Sequence, residues 1–142
     1  MRGLVVDGSA PGRIAIREVP EPVPDRDEVV VEVRAFSINR GEVRMLSTAP
    51  DGWRPGWDFA GVLRSDVEGG PRAGMRVVGI RQGETWAERV AVPVDSIGGI
   101  PDGVTFGQAA ALATAGVTAL RILRLGPAIL GRRVLVTGAS GG

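Results

Sequence analysis

The run Val134-Leu135-Val136-Thr137-Gly138-Ala139-Ser140-Gly141-Gly142 has the residue types and the order of a phosphate cradle. A compact apolar strand that breaks into glycines lets backbone N–H groups approach a pyrophosphate, and a following helix adds the partial positive charge of its first turn. Here the strand and the first glycines are present. The helix and the residue that would select the nucleotide are expected beyond residue 142. Taken alone the run is open to a second reading, since glycine-rich stretches also serve as flexible tails.

What is missing narrows the chemistry further. The 142 residues contain no Cys, His, Lys or Tyr, and all 17 basic residues are Arg. Without thiolate or imidazole the usual zinc ligand sets cannot be built, and no metal site is expected. Without Lys and Tyr there is neither a Schiff base nor a phenol-and-ammonium proton relay. Carboxylates, hydroxyls, amides and guanidinium groups remain, so in an enzyme a cofactor would carry the hard step. The 17 basic and 16 acidic residues leave a net charge of +1 and are scattered, which argues against nucleic acid or an anionic membrane as partner. The longest apolar stretch, 109–120, reads as too short to cross a bilayer, and no secretory signal opens the chain. A soluble cytoplasmic protein is the expectation.

These residues must be positioned by a β-rich scaffold. Residues 2–7 and 13–19 read as strands joined by Gly8-Ser9-Ala10-Pro11-Gly12. Pro20, Pro22 and Pro24 hold an extended lead into 27–38, where Val29, Val31 and Val33 share one face and Val30, Glu32 and Arg34 the other. A short helix over 40–46 and strands over 57–63, 75–80 and 85–92 come next, each bounded by Gly or Pro. Such punctuation suggests a barrel or a partly open sandwich. After Pro101-Asp102-Gly103 the pattern turns helical over 106–125, with a break expected inside because Gly107 and Gly116 weaken it. An apolar strand over 133–137 comes last.

In order and spacing the whole chain resembles the medium-chain dehydrogenase/reductase superfamily, and within it the zinc-free quinone oxidoreductases. The resemblance runs through Asp27-Glu28-Val29-Val30-Val31-Glu32-Val33, Ser37-Ile38-Asn39-Arg40-Gly41-Glu42 and Pro55-Gly56-Trp57-Asp58-Phe59-Ala60-Gly61-Val62. It continues in Gly74-Met75-Arg76-Val77-Val78-Gly79, Thr85-Trp86-Ala87-Glu88, Ile100-Pro101-Asp102-Gly103 and the segment 109–120 before the glycine turn. Short-chain dehydrogenases open on a similar turn, but near their N-terminus and with a catalytic Tyr and Lys, so the order here decides against them.

The resemblance implies a mainly β GroES-like barrel, a catalytic domain over 1–105, and then the first helix and strand of a truncated α/β Rossmann domain over 106–142. It implies NADPH as cofactor, with NADH as the alternative, no zinc, and a small-molecule acceptor: a quinone, an enone, or an aldehyde or ketone. Relatives of this kind are often dimers, which makes a homodimer an expectation. Zinc-dependent relatives carry a Cys near Ser37 and a His at Trp57, and both are replaced here. Asn39 matches an Asn close to the nicotinamide, expected to orient the ring or a substrate carbonyl, although an Asn ending a strand by bonding its own backbone is an equal alternative. Thr118 matches a Thr at the nicotinamide end of the cofactor, where an ordinary helix residue is the alternative. Gly138, Ser140, Gly141 and Gly142 match the phosphate-binding turn. Asp58 stands where relatives carry Glu and is expected to be a buried carboxylate paired with an Arg. Trp53 and Trp57 are expected in the core, with a quinone pocket as their alternative role. The rival readings are a GroES-like barrel kept as a binding module without activity and, within the enzyme class, a reductase of enones or acyl thioesters.

Overall fold

The structure, a computed structural model, describes residues 1–68 and 70–138. Strand β1 (Arg2–Val6) pairs antiparallel with β2 (Ile14–Glu18) in a ribbon of its own. The remaining strands are β3 (Glu28–Ala35), β4 (Asp58–Leu63), β5 (Arg76–Ile80), β6 (Arg89–Pro93) and β7 (Ile97–Gly99). They form one curled antiparallel sheet in the order β6-β3-β4-β5-β7. The ribbon is stitched to this sheet by a Gly3–Ala87 bridge and by the Leu4 N–H donating to the Trp86 carbonyl at 2.8 Å. Helix α1 (Arg40–Leu46) comes after β3, and helix α2 (Phe106–Leu125) after β7.

β4 lies at the centre of the sheet and is buried on both sides. Its alternation sends Phe59 and Leu63 into one cluster with Val29, Val31, Val77, Val90 and Val92. Ala60, pointing the other way, meets Ile100, Ala109 and Ala110 under α2. Val6, Leu46 and Trp86 make a third cluster, against which Trp53 packs, so Trp53 is a core residue. The expected faces of β3 hold, but the strand ends at Ala35 rather than Ile38. Between Val33 and Ala35 its pairing with β4 slips by one residue. Such a bulge bends a strand and re-aims the residues after it, here Phe36-Ser37-Ile38-Asn39.

α2 runs unbroken through both glycines, contrary to the expected break. Its first turn is fixed by a reciprocal cap: the Gln108 N–H donates to Thr105 Oγ1 at 3.2 Å, and the Thr105 N–H to Gln108 Oε1 at 2.9 Å. The Arg76 guanidinium lies 4.8 Å over the Phe106 ring, and Ala109, Ala110 and Ala113 are buried against the sheet. Each glycine costs about 1 kcal/mol relative to alanine, less than this capping and burial contribute together. At 20 residues α2 also exceeds the expected apolar stretch and is long and apolar enough to cross a membrane by composition, yet its N-terminal half is packed on the sheet. Residues 133–137 form no strand; Val134, Leu135 and Val136 are 54%, 87% and 69% exposed. A strand needs neighbours to hold it, and none stands beside this segment among the described residues.

Candidate functional site

The loop leaving the β3 bulge, the start of α1, the start of β4 and the middle of α2 converge on two carboxylates. Ser37 is held from behind, where Trp86 Nε1–H donates to its carbonyl at 3.1 Å and the Trp86 ring stacks on Phe36 at 5.6 Å between centroids. Its hydroxyl donates to Asp58 Oδ2. Asn39 precedes α1, and the Glu42 carboxylate reaches back to it: Oε2 accepts from the Asn39 backbone N–H at 2.6 Å and from Nδ2 at 2.9 Å. Asn39 Nδ2 also donates to Asp58 Oδ2 at 2.7 Å. Both amide hydrogens of Asn39 therefore go to carboxylates, which fixes the orientation of the amide, because an oxygen in their place would face only acceptors. Oδ1 faces the Glu42 backbone N–H in a capping box, without closing a full hydrogen bond there.

Asp58 and Glu42 are both fully buried, at 0% exposure. The expected Arg partner of Asp58 is absent: among the described residues it makes no ion pair. Its charge is met instead by hydrogen-bond donors, Ser37 and Asn39 on Oδ2, and the Thr114 N–H at 2.9 Å together with the Thr114 hydroxyl on Oδ1. Spacing in the sequence gave no sign of Thr114, which lies 56 residues from its partner. Glu42 is less well served, for Oε1 closes no hydrogen bond. Burial pushes the Glu42 carboxyl above its ordinary value of 4.5; the Asn39 donors and the Trp57 backbone amide oppose this, and the Asp58 charge adds to it.

Of the residues singled out from the sequence, Asn39 sits at the centre of this network. Thr118 lies one turn beyond Thr114 on the same face of α2, exposed, and it borders the site through Thr114 and Asp58. Gly138 is exposed with φ +67°, while Ser140, Gly141 and Gly142 lie outside the described residues. Trp57, where zinc-dependent relatives carry His, packs edge-on against α1; a Cβ at Gly41 would sit 2.7 Å from its Cη2. At the position of the other ligand, the Ser37 hydroxyl is already committed to Asp58. Among the described residues no cluster of three metal-ligating side chains exists. The larger surface cavities, about 540, 530 and 510 Å³, include neither Asn39 nor Asp58 nor Thr118. The described residues thus build one polar wall around the half-buried Asn39 amide, with the exposed Thr118 hydroxyl at its border.

No family model matches the chain. It is 32% identical over 140 residues to the synaptic vesicle membrane protein VAT-1 homolog of Rattus norvegicus, covering 92% of this chain and 34% of that protein. It is 36% identical over 126 residues to the trans-enoyl reductase mycC of Thermothelomyces thermophilus, covering 76% of this chain and 33% of that enzyme. Among solved structures it superposes with a TM-score of 0.73 and 26% identity on the quinone oxidoreductase of Thermus thermophilus, which was also determined in complex with NADPH, covering 88% of this chain and 41% of that one. The chain spans about a third of the length of these curated relatives. An antiparallel curled sheet closed by a capped helix, in this order and with these relatives, defines the class: the chain belongs to the medium-chain dehydrogenase/reductase superfamily.

Proposed function

We propose that this chain is the barrel part of an NAD(P)H-dependent oxidoreductase that passes hydride to a quinone or to an activated carbonyl or alkene without zinc. The observation that carries the reading is the locked Asn39 amide. With both its hydrogens given to Glu42 and Asp58, its oxygen is the acceptor it has to offer, and the exposed Thr118 stands one turn beyond Thr114 on α2, across Asp58. An acceptor next to a hydroxyl suits the carboxamide and ribose end of a nicotinamide nucleotide. It suits a substrate carbonyl poorly, because that group needs a donor. Of the two roles expected for Asn39, orienting the ring is the one this geometry supports.

The bound nucleotide would supply the hydride. The chain's own residues then hold one end of it, align it and keep water from that wall, as positioning does in hydride-transfer enzymes. A quinone accepts hydride without a Lewis acid, which fits a site where Ser37 and Trp57 stand in the places of metal ligands. NADPH is favoured by the likeness to the Thermus thermophilus enzyme. A second acceptor, an enoyl group, is favoured by the likeness to the trans-enoyl reductase.

The test is Asn39→Ala in the protein that carries this chain, assayed with quinone and with an enoyl thioester. Losing an orienting hydrogen bond worth about 1.5–3 kcal/mol is expected to slow hydride transfer roughly ten- to hundredfold while weakening NADPH binding much less. Normal single-turnover hydride transfer with a lowered thermal midpoint would leave Asn39 as a local cap. A wild type that binds no nucleotide would favour the binding-module reading.

A further inference from the structure

Asp58 is more than one member of the wall. A carboxylate this deep is ordinarily compensated by a cation, and removing its partners leaves a costly buried charge. Here the compensation comes from dipoles and is divided by element. Oδ2 is bound only by the loop between β3 and α1, through Ser37 and Asn39. Oδ1 is bound only by α2, through the backbone and hydroxyl of Thr114. The Asp58 backbone is itself pinned, its carbonyl accepting from the Thr85 hydroxyl at 3.0 Å, with Thr85 fully buried. One rigid planar group on the central strand thus spans the two elements that carry Asn39 and Thr118. No other hydrogen bond joins that loop to α2 among the described residues.

We infer that Asp58 is a positioning residue, and Thr114 its partner on α2, which together set the placement of Asn39 relative to Thr118. The inference rests on the reading of Asn39 and Thr118 as the cofactor-facing groups. Among the described residues Thr114 makes no hydrogen bond to Asn39, so its influence on Asn39 passes through Asp58. Loosening the Oδ1 side lets the carboxylate rotate toward its Oδ2 partners, and the Asn39 amide turns with it.

Thr114→Val removes the hydroxyl donor, keeps the backbone one and preserves shape, so the fold survives where Asp58→Asn would put a donor against donors. Thr114→Ser restores the hydroxyl. Asn39 is the sole asparagine in the sequence, so selective ¹⁵N labelling of asparagine side chains gives one amide signal from this chain. In Thr114→Val that signal is expected to move and its hydrogens to exchange faster, with wild-type behaviour regained in Thr114→Ser. In the protein carrying this chain, hydride transfer at saturating NADPH is expected to fall about tenfold in the Val variant, while NADPH affinity changes by less than about threefold. A lowered thermal midpoint with the Asn39 signal and the hydride-transfer rate both at wild-type values would overturn the inference and leave Asp58 as a structural anchor. If the wild type transfers no hydride, the functional reading falls alone. The Asn39 signal still decides the link: moved by Thr114→Val it stands, unmoved it is overturned.

Discussion

Glu42 is the side chain whose charge this molecule tolerates least. It is fully buried, one of its oxygens accepts two hydrogen bonds and the other none, and burial raises its pKa above 4.5. The consequence for stability has a definite sign. Between the ordinary value and the raised one, the folded chain holds the proton that the unfolded chain has lost, so stability falls as pH rises through that window and is unaffected below it. Glu42→Gln keeps an oxygen for the Asn39 donors and removes the titration. Urea unfolding between about pH 4 and 8 is therefore expected to show a wild-type curve that declines through the Glu42 window and levels off above it, and a flatter one for Glu42→Gln. Parallel curves would mean that Glu42 ionises in the fold as easily as outside it. At this scale the resemblance singled out residues such as Asn39 and Asp58 and said less about what they bond. Asn39 came from the resemblance, with a strand-end Asn bonding its own backbone as an equal alternative. The donors on Asp58 could not be read in advance, since Ser37 and Thr114 come from opposite sides of it in the chain and an Arg is the commoner partner of a buried acid.

Elements were legible wherever a local rule fixes them. β-branched alternation marked β3, prolines marked the lead into it, and the short helix at 40–46 was read with its limits. β7 escaped notice because two of its three residues are glycines that no pattern marks as strand. The continuity of α2 was missed because helix propensity is local, whereas the contacts that hold the helix straight lie on a sheet some fifty residues earlier. Gly56 shows the opposite case, a glycine that no other residue can replace. Its φ is +120°, and a Cβ there would lie 2.3 Å from Thr85 Oγ1 and 2.5 Å from the Trp86 nitrogen. Gly56→Ala is expected to cost about 3 kcal/mol or more, by strain and by displacing the buried Thr85 that holds the Asp58 carbonyl. Gly12, with φ +67° but open space around it, serves as the control, and its alanine variant is expected to cost only about 1 kcal/mol. Equal unfolding midpoints for the two variants would contradict this.

On the scale of the molecule, the sheet is a sound core and α2 is half a helix–sheet interface. Ala109, Ala110 and Ala113 face the sheet, while Leu112, Leu120, Leu123 and Leu125 are 66%, 47%, 48% and 89% exposed. On the proposed reading, nucleotide binding draws on the glycine turn as well as the polar wall, and among the described residues the apolar segment leading into that turn pairs with no strand. The 142 residues by themselves are therefore expected to bind NADPH negligibly in calorimetric titration, whereas the same residues joined to a complete nucleotide-binding domain bind it. Micromolar affinity for the chain alone would show that the wall suffices. The barrel-then-helix order could be read from the sequence because glycine and proline spacing survives without an alignment. How much of α2 stays uncovered could not, because coverage depends on what else the helix meets.

The division of charge within the molecule has a bearing on the solutions in which it works. Its surface is tied by carboxylate–guanidinium contacts such as Arg89 with Glu21 at 2.6 Å and Arg2 with Glu88 at 2.7 Å, all reached by solvent ions. The Asp58 network holds no such contact, only a buried anion ringed by hydroxyls and amides. Added electrolyte shortens the screening length to about 3 Å at 1 M and weakens the first kind of tie while finding nothing to screen in the second. Brine should loosen the ribbon's attachment well before it disturbs the geometry around Asn39.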